Sequence, residues 1–98
     1  MMTYICQTRI GGGSFPNQDL TALVGNSGIS TEEPLDARDF RELDFGEYKR
    51  CQVRLLIPRN CYIKDQQIQV SGEQEDVEAL VSELKQKYSW AKPENWNN

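Results

Sequence analysis

Hydrophobic and polar positions alternate along residues 48–58, YKRCQVRLLIP. Cys51, Val53, Leu55 and Ile57 fall on one side of an extended chain, and the intervening residues are mostly polar. Alternation with a period of two is typical of a strand that buries one face and leaves the other in water. The segment is the clearest predicted strand of the sequence.

Two further segments complete the predicted sheet. Pro58, Arg59 and Asn60 turn the chain, and residues 61–70, CYIKDQQIQV, return as a second strand. Residues 3–10, TYICQTRI, carry apolar side chains on both sides, which is typical of a central strand. The sequence therefore predicts an antiparallel sheet of about three strands.

Residues 71–88, SGEQEDVEALVSELKQKY, have the apolar spacing of an amphipathic helix. Ser71 and Gln74 fit a capping box at its start. The helix is expected to pack on one face of the sheet and to hold the domain together. Its apolar stripe consists of Val77, Leu80, Val81, Leu84 and Tyr88.

Two shorter helices are predicted nearer the N-terminus. Asn17 caps the first, which carries Leu20, Leu23 and Val24 and ends at Gly25. Residues 34–43, PLDARDFREL, form the second, with Pro34 in its first turn.

The predicted fold is a small two-layer α+β domain over residues 1–98, in the order β-α-α-β-β-α. Residues 11–16 are expected to form a flexible glycine-rich loop, and residues 89–98 an irregular C-terminal tail. The loop lacks the Lys-Ser/Thr of a P-loop and the third glycine of a dinucleotide-binding turn. A flexible surface turn is therefore preferred to a phosphate-binding loop.

The amino-acid composition limits the kinds of catalytic and metal site that we expect in this chain. The chain contains no histidine, which excludes imidazole general bases and histidine-zinc sites. Its three cysteines are widely spaced and suit packing in a reducing compartment. The first ten residues do not resemble a signal peptide, and no apolar run is long enough to cross a membrane. We expect a cytoplasmic, non-enzymatic protein without catalytic residues, metal or cofactor.

Charge is segregated along the middle of the chain. Residues 32–47 carry seven acids and two bases, whereas residues 48–64 carry five bases and no acid. The basic face of the strand is a candidate surface for an acidic partner or a phosphate backbone. Two alternatives stay open: the acidic segment folds over this face, or both segments are simply solvated.

The predicted element order resembles that of type I KH domains. The tetrapeptide GNSG (Gly25, Asn26, Ser27 and Gly28) lies between the first two predicted helices, where that family has its G-x-x-G motif. The resemblance implies binding of single-stranded RNA or DNA by this motif together with Arg50 and Arg54, on the basic strand 49–59. The chain's net charge of −4 opposes this function.

The preferred hypothesis is an accessory or regulatory factor that binds another protein. Tryptophan is enriched at interface hot spots, and Trp90 lies in the tail with Trp96. Trp90 has an equally weighted alternative, closure of the core at the helix end. A homodimer through an exposed sheet edge also stays open. The candidate partner-binding residues are Arg50, Arg54, Arg59, Lys64, Trp90 and Trp96.

Overall fold

The computed structural model describes residues 1–8, 15–30, 40–58, 66–92 and 96–97. These residues form strands, two α-helices and one 3₁₀ turn, Ser89–Ala91. The helices are α1 (Pro16–Val24) and α2 (Gln74–Lys87). The strands are β1 (Met2–Thr8), β2 (Ile29–Ser30), β3 (Phe40–Tyr48), β4 (Cys51–Pro58), β5 (Gln66–Gly72) and β6 (Trp96–Asn97).

The described strands form one sheet in the order β2-β3-β4-β5-β1-β6, and every neighbouring pair is antiparallel. The α+β class is confirmed, but the prediction of about three strands is wrong. Sequence reasoning found β1, β4 and β5, whereas β3 and the two-residue strands β2 and β6 were missed. The KH-like order β-α-α-β-β-α is wrong for the same reason.

The second predicted helix, residues 34–43, is replaced at its described end by β3. Residues 34–39 lie outside the described residues, and residues 40–43 pair with β4. Leu43 and Phe45 are both buried, at the two-residue spacing of a strand. This pairing with a neighbouring strand outweighs the weak helical preference of the segment.

A bulge explains why β3 does not alternate cleanly. The register with β4 shifts between Asp44 and Gly46, which makes Phe45 the extra residue. Gly46 has a φ of 80°, and its N–H donates a hydrogen bond of 2.8 Å to Asp44 Oδ1. Because the bulge changes which residues face inward, the segment carries no uninterrupted period of two.

The predicted strand 48–58 is confirmed over Cys51–Pro58, and its faces are as predicted. Cys51, Val53 and Leu55 are buried, while Arg54 is exposed. Residues 48–50 were placed wrongly, because Tyr48 ends β3 and pairs with Cys51 across a two-residue turn. Lys49 and Arg50 form that turn with φ values of 50° and 67°.

Helix α2 packs its predicted stripe on the sheet. Val77, Leu80, Val81 and Leu84 are buried in the core with Leu55, Ile68 and Val70. The predicted capping box is wrong, since Glu73 is the N-cap residue and makes no side-chain capping hydrogen bond. Ser71 belongs to β5, and its hydroxyl lies 3.0 Å from the hydroxyl of Thr3 on β1.

The prediction that Asn17 caps helix α1 is wrong, because the helix begins two residues earlier than such a cap would place it. Phe15 is its N-cap residue and Pro16 occupies the first turn, where the missing N–H costs nothing. Gly25 ends the helix in the left-handed conformation, with a φ of 88°, as predicted. None of the described helices has the length and apolar character to cross a membrane.

Candidate functional site

The two faces of the sheet differ in what covers them. Helix α2 packs on β1, β4 and β5. Helix α1 lies on the same side, because Asp19 accepts hydrogen bonds from Tyr88 and Trp90, next to the C-terminal end of α2. No described helix packs on the opposite face, which we call the open face.

Strand register places the open-face side chains in rows across the sheet. The central row runs across all six strands, and each neighbouring row crosses β3, β4, β5 and β1. At about 4.8 Å between strands, the central row is about 24 Å long. The central row is Ile29, Asp44, Arg54, Gln69, Ile5 and Asn97; its neighbours are Glu42, Leu56, Gln67 and Gln7, and Glu47, Gln52, Ser71 and Thr3.

Charges on this surface are concentrated where β3 lies beside β4. The Arg54 guanidinium is 3.9 Å from the Glu42 carboxylate, and the two side chains are 44% and 17% exposed. Asp44 Oδ1 accepts hydrogen bonds from the side chain of Gln52 and from the N–H of Gly46. With Glu47, three carboxylates face one guanidinium among the described open-face residues. Counted over the described side chains, this part of the open face is more acidic than basic.

Residues 40–47 of the acidic segment lie beside β4 as strand β3 and do not cover its exposed face, and residues 32–39 lie outside the described residues. The acidic and basic segments are separate along the sequence, but the antiparallel pairing of β3 with β4 places Asp44 opposite Arg54. The described open face is therefore a mixed surface of amides, hydroxyls, aliphatic groups and carboxylates.

The predicted basic residues do not share one surface in the described structure. Arg54 lies on the open face, and Arg50 lies in the turn between β3 and β4. Arg59 and Lys64 lie outside the described residues. The placement of Arg50 on the wet face of the strand is therefore corrected to a turn position.

The two tryptophans have different environments. Trp90 is 4% exposed, stacks on Tyr88 with ring centroids 5.0 Å apart, and donates from Nε1 to Asp19 Oδ2 at 2.8 Å. It closes the core at the end of α2 and leaves no ring surface for a partner. Trp96 is half-buried on β6, with its Nε1 donating to the Ala91 carbonyl.

The GNSG tetrapeptide does not lead into a helix. Gly25 caps α1, and Gly28 precedes β2. A Cβ on Gly28 would come within 2.9 Å of Leu43 Cβ and of the Phe45 ring, so Gly28 allows close packing on β3. Asn26 and Ser27 between them are exposed. The motif thus joins a helix to a strand, and the KH-like arrangement around it is wrong.

The described cysteines are packed thiols. Cys6 and Cys51 are free and buried, and burial raises the pKa of Cys6 to about 12. Its Sγ donates to the Trp90 carbonyl at 3.3 Å. Burial also raises the pKa of Cys51. Both side chains are thus protonated at neutral pH and are poor nucleophiles.

Comparison with known proteins gives no relative: no family model, no curated protein and no solved structure matches this chain. In the described part of the chain, no three residues of the Cys, Asp and Glu types are grouped so as to hold a metal ion.

The acidic half of the open face was missed because Glu42 was assigned to a helix and Asp44 and Glu47 to no predicted element. The glutamine side chains of the open face could have been found from the sequence, because Gln67 and Gln69 alternate with Ile68, which is buried. Once Ile68 is placed in the core, both amides must face the other side.

Proposed function

We propose that this protein is a non-enzymatic binding module that holds another protein against the open face of its sheet. One observation carries the proposal: the described sheet spans six strands, yet the described helices pack on only one of its faces. A broad face without a described helix on it gives a partner a rigid surface, because strand pairing fixes the positions of its side chains.

The composition of the open face supports a protein as the occupant. Ile5, Ile29 and Leu56 provide apolar contacts, and Ile29 is 71% exposed. The glutamine and serine side chains between them can donate and accept hydrogen bonds. Such a mixture is typical of interfaces that form and dissociate, which are about as apolar as ordinary protein surface.

Electrostatics favour a neutral or basic partner over a nucleic acid. Carboxylates outnumber guanidinium groups among the described open-face side chains, and the chain carries a net charge of −4, which both disfavour a phosphate backbone. The same carboxylates attract lysine and arginine side chains of a protein partner and raise the rate of association. A second copy of the chain is disfavoured, since it would bring the same negative charge.

Free thiols at Cys6 and Cys51 are in keeping with a reducing compartment. We therefore propose that the module acts in the cytoplasm, as an accessory or regulatory factor.

Reversal of an open-face carboxylate tests the proposal. Glu47 is exposed on β3 in one row of the open face, so Glu47→Lys replaces attraction for a basic partner by repulsion. Glu75→Lys is the matched control, because Glu75 is exposed on α2, on the other side of the sheet.

Tagged wild-type protein and both variants should be purified from the native cells, and bound proteins quantified by mass spectrometry. We expect wild type and Glu75→Lys to retain the same partner and Glu47→Lys to lose most of it, by roughly tenfold for about 1.4 kcal/mol. Equal recovery with Glu47→Lys, while that variant remains folded, would refute the open face as the binding surface.

A further inference from the structure

A groove lies on the opposite side of the sheet from the open face. It has a volume of about 360 Å³ and is bordered by one side of α2 and by side chains of β1 and β6. This volume is at the lower end of the range for small-molecule sites. The groove is lined by Tyr4, Glu78, Val81, Ser82, Lys85 and Trp96.

The helical spacing of the sequence places four of these residues in one line. Glu78, Val81, Ser82 and Lys85 follow one another at i, i+3, i+4 and i+7, so they share a face of α2. Val81 is buried and forms an apolar floor. Glu78 and Lys85 stand two turns apart, about 10.5 Å along the helix axis.

Two aromatic rings form the wall of the groove on the strand side. The Tyr4 and Trp96 rings meet edge to face, with centroids 6.4 Å apart and planes at 80°. The Trp96 N–H is already used by the Ala91 carbonyl, so the ring offers apolar surface. A third ring extends such an edge-to-face pair favourably.

Lys85 supplies a cation beside this apolar surface. It has no acidic partner within ion-pairing distance among the described residues, in contrast to Lys49 and Lys87, which both pair with Glu83. Glu78 lies at the other end of the groove and accepts a hydrogen bond from Gln74. The groove therefore attracts negative charge at one end and a hydrogen-bond donor at the other.

We propose that this groove binds a small aromatic carboxylate. The ring of the ligand packs against Tyr4 and Trp96 over Val81, its carboxylate pairs with Lys85, and a donor group in the ligand faces Glu78. The site is independent of the open face, because the two lie on opposite sides of the sheet.

N-acetyl-L-phenylalanine is a suitable probe, since it combines a ring, a carboxylate and one amide N–H. Its uncharged carboxamide is the matched ligand. Titration into ¹⁵N-labelled protein should give saturable NMR shifts at the Trp96 indole N–H and at the Ser82 and Lys85 amides, and weaker binding of the carboxamide by about fivefold.

Lys85→Gln should weaken binding of the carboxylate by about the same factor and leave the carboxamide unchanged, whereas Lys92→Gln should have no effect. Absence of saturable shifts, shifts outside the groove, or equal binding of the two ligands would overturn the proposal. Because the open-face test uses other residues and another readout, either proposal can fail without the other.

Discussion

In the turn between β3 and β4, the backbone adopts a conformation that does not suit the two residues found there. Both turn residues, Lys49 and Arg50, have positive φ, as a two-residue hairpin with the right-handed twist of its strands requires. Asparagine and glycine are the residues that accept this conformation easily. The strain at Lys49 is offset by its ion pair with Glu83 on α2, at 2.6 Å, and by the position of its ammonium group over the Tyr48 ring.

Arg50→Gly should therefore stabilise the protein. Glycine relieves a left-handed conformation that costs other residues about 1–2 kcal/mol, against about 0.5–1 kcal/mol of added chain entropy in the unfolded state. We expect a net gain of about 0.5–1 kcal/mol in the free energy of unfolding in urea. Lys92→Gly is the control, because Lys92 has a φ of −64° and no strain to relieve. A loss of stability in Arg50→Gly equal to that of the control would contradict the strain at this turn.

Individual elements differ in how far the sequence predicts them. Helix α2 follows from its own residues, since the buried stripe repeats at helical spacing and every member packs on the sheet. Strand β3 cannot be predicted from its own residues. The bulge at Phe45 breaks the alternation of apolar and polar positions, and the strands that pair with β3 lie in other parts of the chain. The short strands β2 and β6 carry almost no local signal, and they form only because β3 and β1 provide edges to pair with.

An ion-pair network joins α2 to the β3–β4 turn and to its own last turn. Hydrogen bonds from Lys49 and then Lys87 lower the pKa of Glu83 below its ordinary value of 4.5. A carboxyl group whose pKa is lowered by folding stabilises the fold above its unfolded pKa, and that stabilisation is lost as the pH falls through the folded pKa.

The difference in unfolding free energy between wild type and Glu83→Gln should therefore be positive at pH 6 and shrink below pH 4.5. It should also shrink in about 1 M salt, because the pairs are exposed. Urea titrations across pH measure this difference, with the exposed, uncharged Gln86→Ala on the same helix as control. A difference that does not change with pH would show that the network contributes nothing.

At the scale of the whole molecule, the fold brings the side chains of the proposed sites together by pairing strands that are distant in the sequence. The sequence predicts which residues of β4 and α2 are buried, and hence that Arg54 is exposed. The sequence does not predict that Glu42 and Asp44 stand beside Arg54, because this depends on the register between β3 and β4. Nor does it predict the groove, whose wall joins Tyr4 to Trp96 across the β1–β6 pairing. Both proposed sites thus arise from tertiary structure.

Site-specific photo-cross-linking tests the proposed binding surface most directly. A photoreactive amino acid at Gln69 reports on the centre of the open face, and the same amino acid at Gln86 reports on the exposed side of α2. We predict that a partner protein is captured from position 69 and not from position 86. Capture from position 86 alone would contradict the account, because the partner would then lie on the helical side of the molecule.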